Sequence, residues 1–202
     1  MRPHLSPRHA LIAVLATAVL GTGATAGATA AVAAPGGPVR ASLRPLVELS
    51  AERALVADEV AAAKWGTDSP IDDPAREREV LDAVARQAEE LGADPVATAR
   101  IFRDQIEASK VVQRGLYRRW AADPAQAPTD RPDLGRIRLE INRINGELVR
   151  AIADSAALRE APSCGGRLTA GAAAVIHGRR LDTLHTVALG RSLPSVCERA
   201  ER

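Results

Sequence analysis

Residues 72–95, DDPAREREVLDAVARQAEELGADP, contain one helix together with its start and stop signals. Asp73-Pro74 pairs an N-capping carboxylate with proline at the first helical position. Leu91-Gly92 supplies the stop, because glycine readily takes the left-handed conformation past a last helical turn. Asp94-Pro95 then repeats the start signal and opens a long helix to about Trp120. Upstream, Pro45 sits in the first turn of a helix that runs to Lys64-Trp65 and halts at Gly66. Downstream, the three prolines between Asp123 and Pro132 mark a loop. Asp133 caps a fourth helix to about Arg159. Pro162-Ser163 starts a shorter one, and Asp182 another, which Pro194 ends before Cys197. No strand-like alternation, repeat or second domain interrupts this pattern. Aromatics are only 2% of the chain, so the core is built of Leu, Val, Ile and Ala, which suits helices. The expectation is an all-α, single-domain bundle of about six helices.

Residues 1–33 read as an address. Arg2 and Arg8 make a positive start, Ala10 to Leu20 is apolar, and Ala31-Val32-Ala33 is a small-x-small site. Cleavage after Ala33 leaves residues 34–202 as one domain and sends it outside the cytoplasm, secreted or periplasmic. A retained anchor is the alternative, although the run is too short and Ala-rich for a span of roughly 20 apolar residues. Cys164 and Cys197 fit an oxidising compartment, where a disulfide is favoured over two free buried thiols. A net charge of +2 gives no case for nucleic-acid binding. Past the leader only His177 and His185 remain, and they form no metal-like cluster.

Cations interrupt the apolar stripes. On the first helix Leu46, Leu49, Val56 and Val60 share a face, and Arg53 and Lys64 continue the same row, about three turns apart. On the second, Asp73, Arg76, Val80, Val84 and Leu91 share one. On the third, Ser109 and Gln113 lie in the row of Ala99, Phe102, Ile106, Leu116 and Trp120. On the fourth, Arg138 flanks Leu134, Ile137, Ile141, Ile144 and Leu148. Any one such arginine is ordinarily solvated or snorkels from the stripe's edge. Together they are harder to dismiss, because one nearby acid, Asp73, cannot neutralise four cations, and an unpaired buried charge costs several kcal/mol. A pocket lined by that excess suits a small dicarboxylate, which arginine forks grip bidentately. Of the 27 Lys plus Arg, only Lys64 and Lys110 are lysine, so a lysine within a stripe suggests a need for a compact point charge.

From about Leu43 to Cys197 the chain resembles the AroQ class of helical chorismate mutases, and within it the exported gamma subclass. The resemblance is carried by Ser50-Ala51-Glu52-Arg53, Ala63-Lys64-Trp65, Pro70-Ile71-Asp72-Asp73, Asp104-Gln105-Ile106, Pro162-Ser163-Cys164 and Leu181-Asp182-Thr183-Leu184. It implies that chorismate is isomerised to prephenate, a step of aromatic amino-acid biosynthesis, with no metal or organic cofactor. It further implies that Arg53 and Arg138 grip the two carboxylates, with Arg76 assisting. Lys64 and Gln113 would donate to the ether oxygen, Asp73 and Glu77 would hold the ring hydroxyl, and Ser109 would support a carboxylate. A homodimer is also what the resemblance implies. Two departures stand out: Gln113 occupies a position where some exported relatives carry glutamate, and Val80 one where several carry a polar residue. Trp65 and Trp120 are expected to be packing anchors. Two other readings compete, an isochorismate-pyruvate lyase on the same fold and a non-catalytic exported helical protein that binds anions or a partner.

Overall fold

The computed structural model describes residues 42–197, and the leader and its cleavage site lie outside them. Seven α-helices make up the described chain: α1 (Arg44–Lys64), α2 (Pro74–Glu90), α3 (Pro95–Ala122), α4 (Leu134–Asp154), α5 (Ala156–Glu160), α6 (Cys164–Arg179) and α7 (Thr183–Ser192). A 3-10 turn, Pro124–Gln126, follows α3, and no strand occurs among the described residues.

Local chemistry explains most of the boundaries. Asp73, Asp94, Asp133 and Asp182 each accept a hydrogen bond from a backbone N–H of the turn that follows, at 3.0, 2.7, 2.7 and 2.8 Å. Gly66 and Gly92 both take φ +69° just past a helix end, a conformation that costs glycine nothing. One boundary differs from the sequence reading. The expected fourth helix to Arg159 is broken at Ser155 into α4 and α5, which raises about six helices to seven. The Ser155 hydroxyl donates to the Ala151 carbonyl at 2.6 Å, and its backbone turns to φ −102°, ψ 7°. A serine that bonds back to the preceding turn competes with helix continuation. Leu91, expected on the α2 apolar face, stands 44% exposed at the C-cap; Ala88 is the buried residue of that last turn.

The core has two parts. Leu46, Phe102, Leu148, Val175 and Leu189 bring α1, α3, α4, α6 and α7 together with no exposure above 1%. Beside it, small residues (Ala54, Ala57, Ala61, Ala108, Ala188) let α1, α3 and α7 approach closely. Gly115 marks the tightest point: a Cβ there would lie 2.5 Å from Leu184 Cδ1. Trp65 packs edge-on against Tyr117 and Trp120, with ring centroids 4.8 and 5.4 Å apart, and anchors the C-terminal end of α1 to α3. Cys164 and Cys197 form a disulfide across Cα atoms 5.8 Å apart, tying the start of α6 to the segment after α7.

Candidate active site

One cavity of about 180 Å³ opens where α1, α3, the start of α4 and the start of α2 converge. It is lined by Arg53, Lys64, Asp73, Arg76, Glu77, Ser109, Gln113 and Arg138, the eight residues singled out from the sequence, together with Lys110 and an apolar floor of Val60, Val80, Ile106, Leu134 and Ile141. The α1–α2 connection adds Ser69, Pro70 and Ile71.

Arg53 reaches the cavity from within the core and is 8% exposed. Its Nε donates to Asn145 Oδ1 at 3.0 Å and its Nη1 to the Gln105 carbonyl at 2.8 Å. Burial pushes the guanidinium down to about 10, still charged at neutral pH. No carboxylate pairs with it among the described residues, and three of its five N–H groups have no hydrogen-bond partner. Lys64, eleven positions further along α1 and half-buried, donates from Nζ to the Pro70 carbonyl at 2.7 Å. Burial lowers its ordinary value, and the Asp73 carboxylate pulls the other way. Asp73 uses Oδ1 to cap α2 through the Arg76 N–H, which leaves Oδ2 for other work.

Gln113 is 4% exposed; its Nε2 lies 3.2 Å from Ser109 Oγ and 3.4 Å from the Ser109 carbonyl, while its Oε1 is buried without a partner. A half-turn of the amide lets the Ser109 hydroxyl donate to Oε1 and releases Nε2 for a ligand oxygen. Arg76 is held at the mouth by Glu79 (2.8 Å), a partner the sequence reading had not assigned. Arg138 is exposed on the rim rather than set in the core.

Five cations line the cavity beside the carboxylates Asp73 and Glu77; Arg76 is paired with Glu79 and Lys110 with Asp72, Glu77 and Glu107, which leaves Arg53, Lys64 and Arg138 without a carboxylate in salt-bridge contact among the described residues. The cavity would receive a compact anion with more than one negative charge, with donors to spare for a further oxygen. No group of three or more potential metal ligands occurs among the described residues.

Comparison with known proteins decides the family. Residues 44–114 match the family described as chorismate mutase type II. The chain is 34% identical over 185 residues to a secreted chorismate mutase of Mycobacterium tuberculosis, an alignment covering 89% of this chain and 93% of that protein. The chain belongs to the chorismate mutase family. A secreted chorismate mutase of Mycolicibacterium smegmatis is 35% identical over 93% of this chain and 99% of its own. The crystal structure of a chorismate mutase from Burkholderia thailandensis superposes with a TM-score of 0.73 and 38% identity, over 77% of this chain and 98% of that one. The family match and that superposition place this all-α chain in the AroQ fold.

Sequence reasoning did not include Lys110 in the site. The signal for it was present in the composition, since it is the second of only two lysines. Trp65 and Trp120 do not line the cavity.

Proposed function

We propose that this cavity is where the chorismate mutase isomerises chorismate to prephenate, and that its cations and amide carry the reaction. The observation that carries the proposal is Arg53: a buried guanidinium beside a small cavity, with no carboxylate partner and three hydrogen-bond donors to spare among the described residues. Arg53 and Arg138 grip the two carboxylates of chorismate, one from the floor and one from the rim. Arg76 assists at the mouth. Asp73 Oδ2 accepts from the ring hydroxyl, with Glu77 beside it, and Ser109 supports a carboxylate.

The rearrangement is pericyclic: one C–O bond breaks as one C–C bond forms, and no proton, nucleophile or metal takes part. Two things speed it. The clamped carboxylates hold the substrate in its folded conformer. Lys64 Nζ and Gln113 Nε2 meet the ether oxygen as it gains negative charge in a site with little water. A gain near a million-fold corresponds to roughly 8 kcal/mol, a scale that two charge-assisted clamps and two preorganised donors can supply.

We further propose that residues 1–33 are removed, that residues 34–202 form one domain, and that it acts outside the cytoplasm. The disulfide and the relatives named as secreted support this. A homodimer is proposed on the resemblance alone, and sedimentation of the processed chain tests it. For the activity, the processed chain is given chorismate and, separately, isochorismate, and products are identified. Prephenate from chorismate is expected. Salicylate with pyruvate from isochorismate and no prephenate, or no turnover of either, would refute the proposal.

A further inference from the structure

Twenty-seven residues of this chain are lysine or arginine and only Lys64 and Lys110 are lysine, yet both line the same cavity. Lys110 lies on α3 between Ser109 and Gln113, with its side chain 10% exposed. Its ammonium meets three carboxylates from three segments: Glu77 of α2 at 2.8 Å, Glu107 of α3 at 2.8 Å, and Asp72 of the α1–α2 connection at 3.3 Å. An ammonium has three donors disposed around one point, which a planar guanidinium does not offer, so three converging carboxylates explain why lysine stands here. Burial opposes its charge, but the three carboxylates outweigh burial and raise it above its ordinary value.

Two of those carboxylates matter to the cavity. Asp72 is gripped a second time by Arg114 Nη2, at 2.7 Å to both oxygens. Two residues before Asp72, the Pro70 carbonyl holds Lys64 Nζ, and one residue after it Asp73 caps α2. The connection from Trp65 to Asp73 is largely exposed between its ends, so its placement over the cavity depends on these ties. Glu77 lines the cavity directly, and without an adjacent cation its carboxylate would oppose an incoming dianion.

We propose that Lys110 is a positioning residue for the mutase reaction: by binding Asp72 and Glu77 it moors the α1–α2 connection that aims Lys64 and offsets part of the charge that Glu77 brings to the wall. The inference rests on the reading of this cavity as the active site. Lys110 donates nothing to the substrate in this account. It acts through Lys64, Asp73 and Glu77.

The test compares Lys110→Met, Lys110→Arg, Asp72→Asn and Glu107→Gln with the wild type, at a temperature where circular dichroism shows each fully folded. Lys110→Met should raise KM for chorismate at least tenfold, with a several-fold fall in kcat, and Lys110→Arg should recover part of both. Asp72 lies outside the cavity lining, and Asp72→Asn should lower kcat with the smaller change in KM. Glu107 ties Lys110 only to its own helix, and Glu107→Gln should stay within about twofold of wild type. If Lys110→Met fails to fold, Asp72→Asn carries the test. Kinetics within twofold of wild type for Lys110→Met, or for Asp72→Asn in its place, would overturn the proposal, as would an equal loss in Glu107→Gln. Failure of the active-site reading looks different: Arg53→Ala would then keep normal kinetics, whereas an inactive Arg53→Ala beside a normal Lys110→Met removes Lys110 alone.

Discussion

Replacing Arg53 by methionine separates what this residue does for the fold from what it does for catalysis. Burial lowers its pKa from an ordinary value near 12.5 to about 10, and at about 1.36 kcal/mol per unit the buried charge costs the fold about 3 kcal/mol. Methionine removes that cost and keeps most of the apolar stem. It also leaves Asn145 Oδ1 and the Gln105 carbonyl without their donor, at about 1–3 kcal/mol each where water does not replace it. The opposing contributions are of similar size, so stability should change by no more than about 3 kcal/mol. Catalysis has no such compensation. Losing a charge-assisted clamp on a carboxylate in a buried site costs about 3–4 kcal/mol, hence two to three decades in kcat/KM. The assay is chorismate consumption beside a thermal melt of the same preparation. A dicarboxylate analogue of the substrate should raise the melting temperature of the wild type and leave that of Arg53→Met nearly unmoved, because binding restores the missing counterion. A kcat/KM within threefold of wild type would refute the role assigned to Arg53. A collapse in melting temperature with normal activity of the folded fraction would reverse the reasoning.

Three further outcomes follow from named contacts. Gln113→Glu should lose turnover toward neutral pH and recover on acidification, since a carboxylate donates to the ether oxygen only when protonated, whereas the wild type stays level; superimposable profiles of turnover against pH would remove Gln113 from the breaking bond. Reducing Cys164–Cys197 frees a loop with a sequence separation of 33 residues and should cost about 3–4 kcal/mol, seen as a melting temperature lower by about 10 °C with activity per folded molecule kept; an unchanged melt would contradict it. His185, buried between Asp58 of α1 and Asp182, the N-cap of α7, with Arg119 near the latter, has its pKa raised first by the Asp58 contact, so its contribution is complete below about pH 6.5 and is lost as pH rises through the raised folded value. The stability difference between wild type and His185→Gln should therefore shrink from about pH 6.5 upward, and a difference that grows with pH would show the sign to be wrong.

The four aspartate caps were legible because a cap is a local contract: Asp73, Asp94, Asp133 and Asp182 each bond a backbone N–H two or three residues on, whatever the rest of the chain does. The helical period likewise put Arg53 and Lys64 on one side of α1, and both line the cavity. Depth was not legible. Arg53 lies in the core while Arg138 stands on the rim, although both occupy or flank an apolar stripe, because exposure depends on which helix crosses at that height. The break at Ser155 was missed for a related reason. A serine hydroxyl bonds back to the preceding turn in many unbroken helices, and the segment after Ser155 is also held by contacts far along the chain, such as Arg159 Nε on the Val196 carbonyl at 3.0 Å. The Lys110 cluster joins three segments, so no period within α3 reveals it.

Long-range bonds also explain what the C-terminal helices contribute to a site they do not line. Gln105 of α3 sits 1% exposed, and its Nε2 donates to Ser50 Oγ of α1 at 2.9 Å and to the Ser192 carbonyl at the end of α7 at 3.1 Å. Its own carbonyl accepts from Arg53 Nη1, and Asn145 of α4 accepts from Arg53 Nε. The Arg53 guanidinium is thus fixed by α3 and α4, and the carbonyl that fixes it belongs to a residue braced by α1 and α7. Gln105 Oε1 is left buried without a partner, which costs about 1–3 kcal/mol. The disulfide ties the segment just past α7 to the start of α6. The end of α7 thus braces the Arg53 guanidinium through Gln105, although none of α5, α6 and α7 lines the cavity.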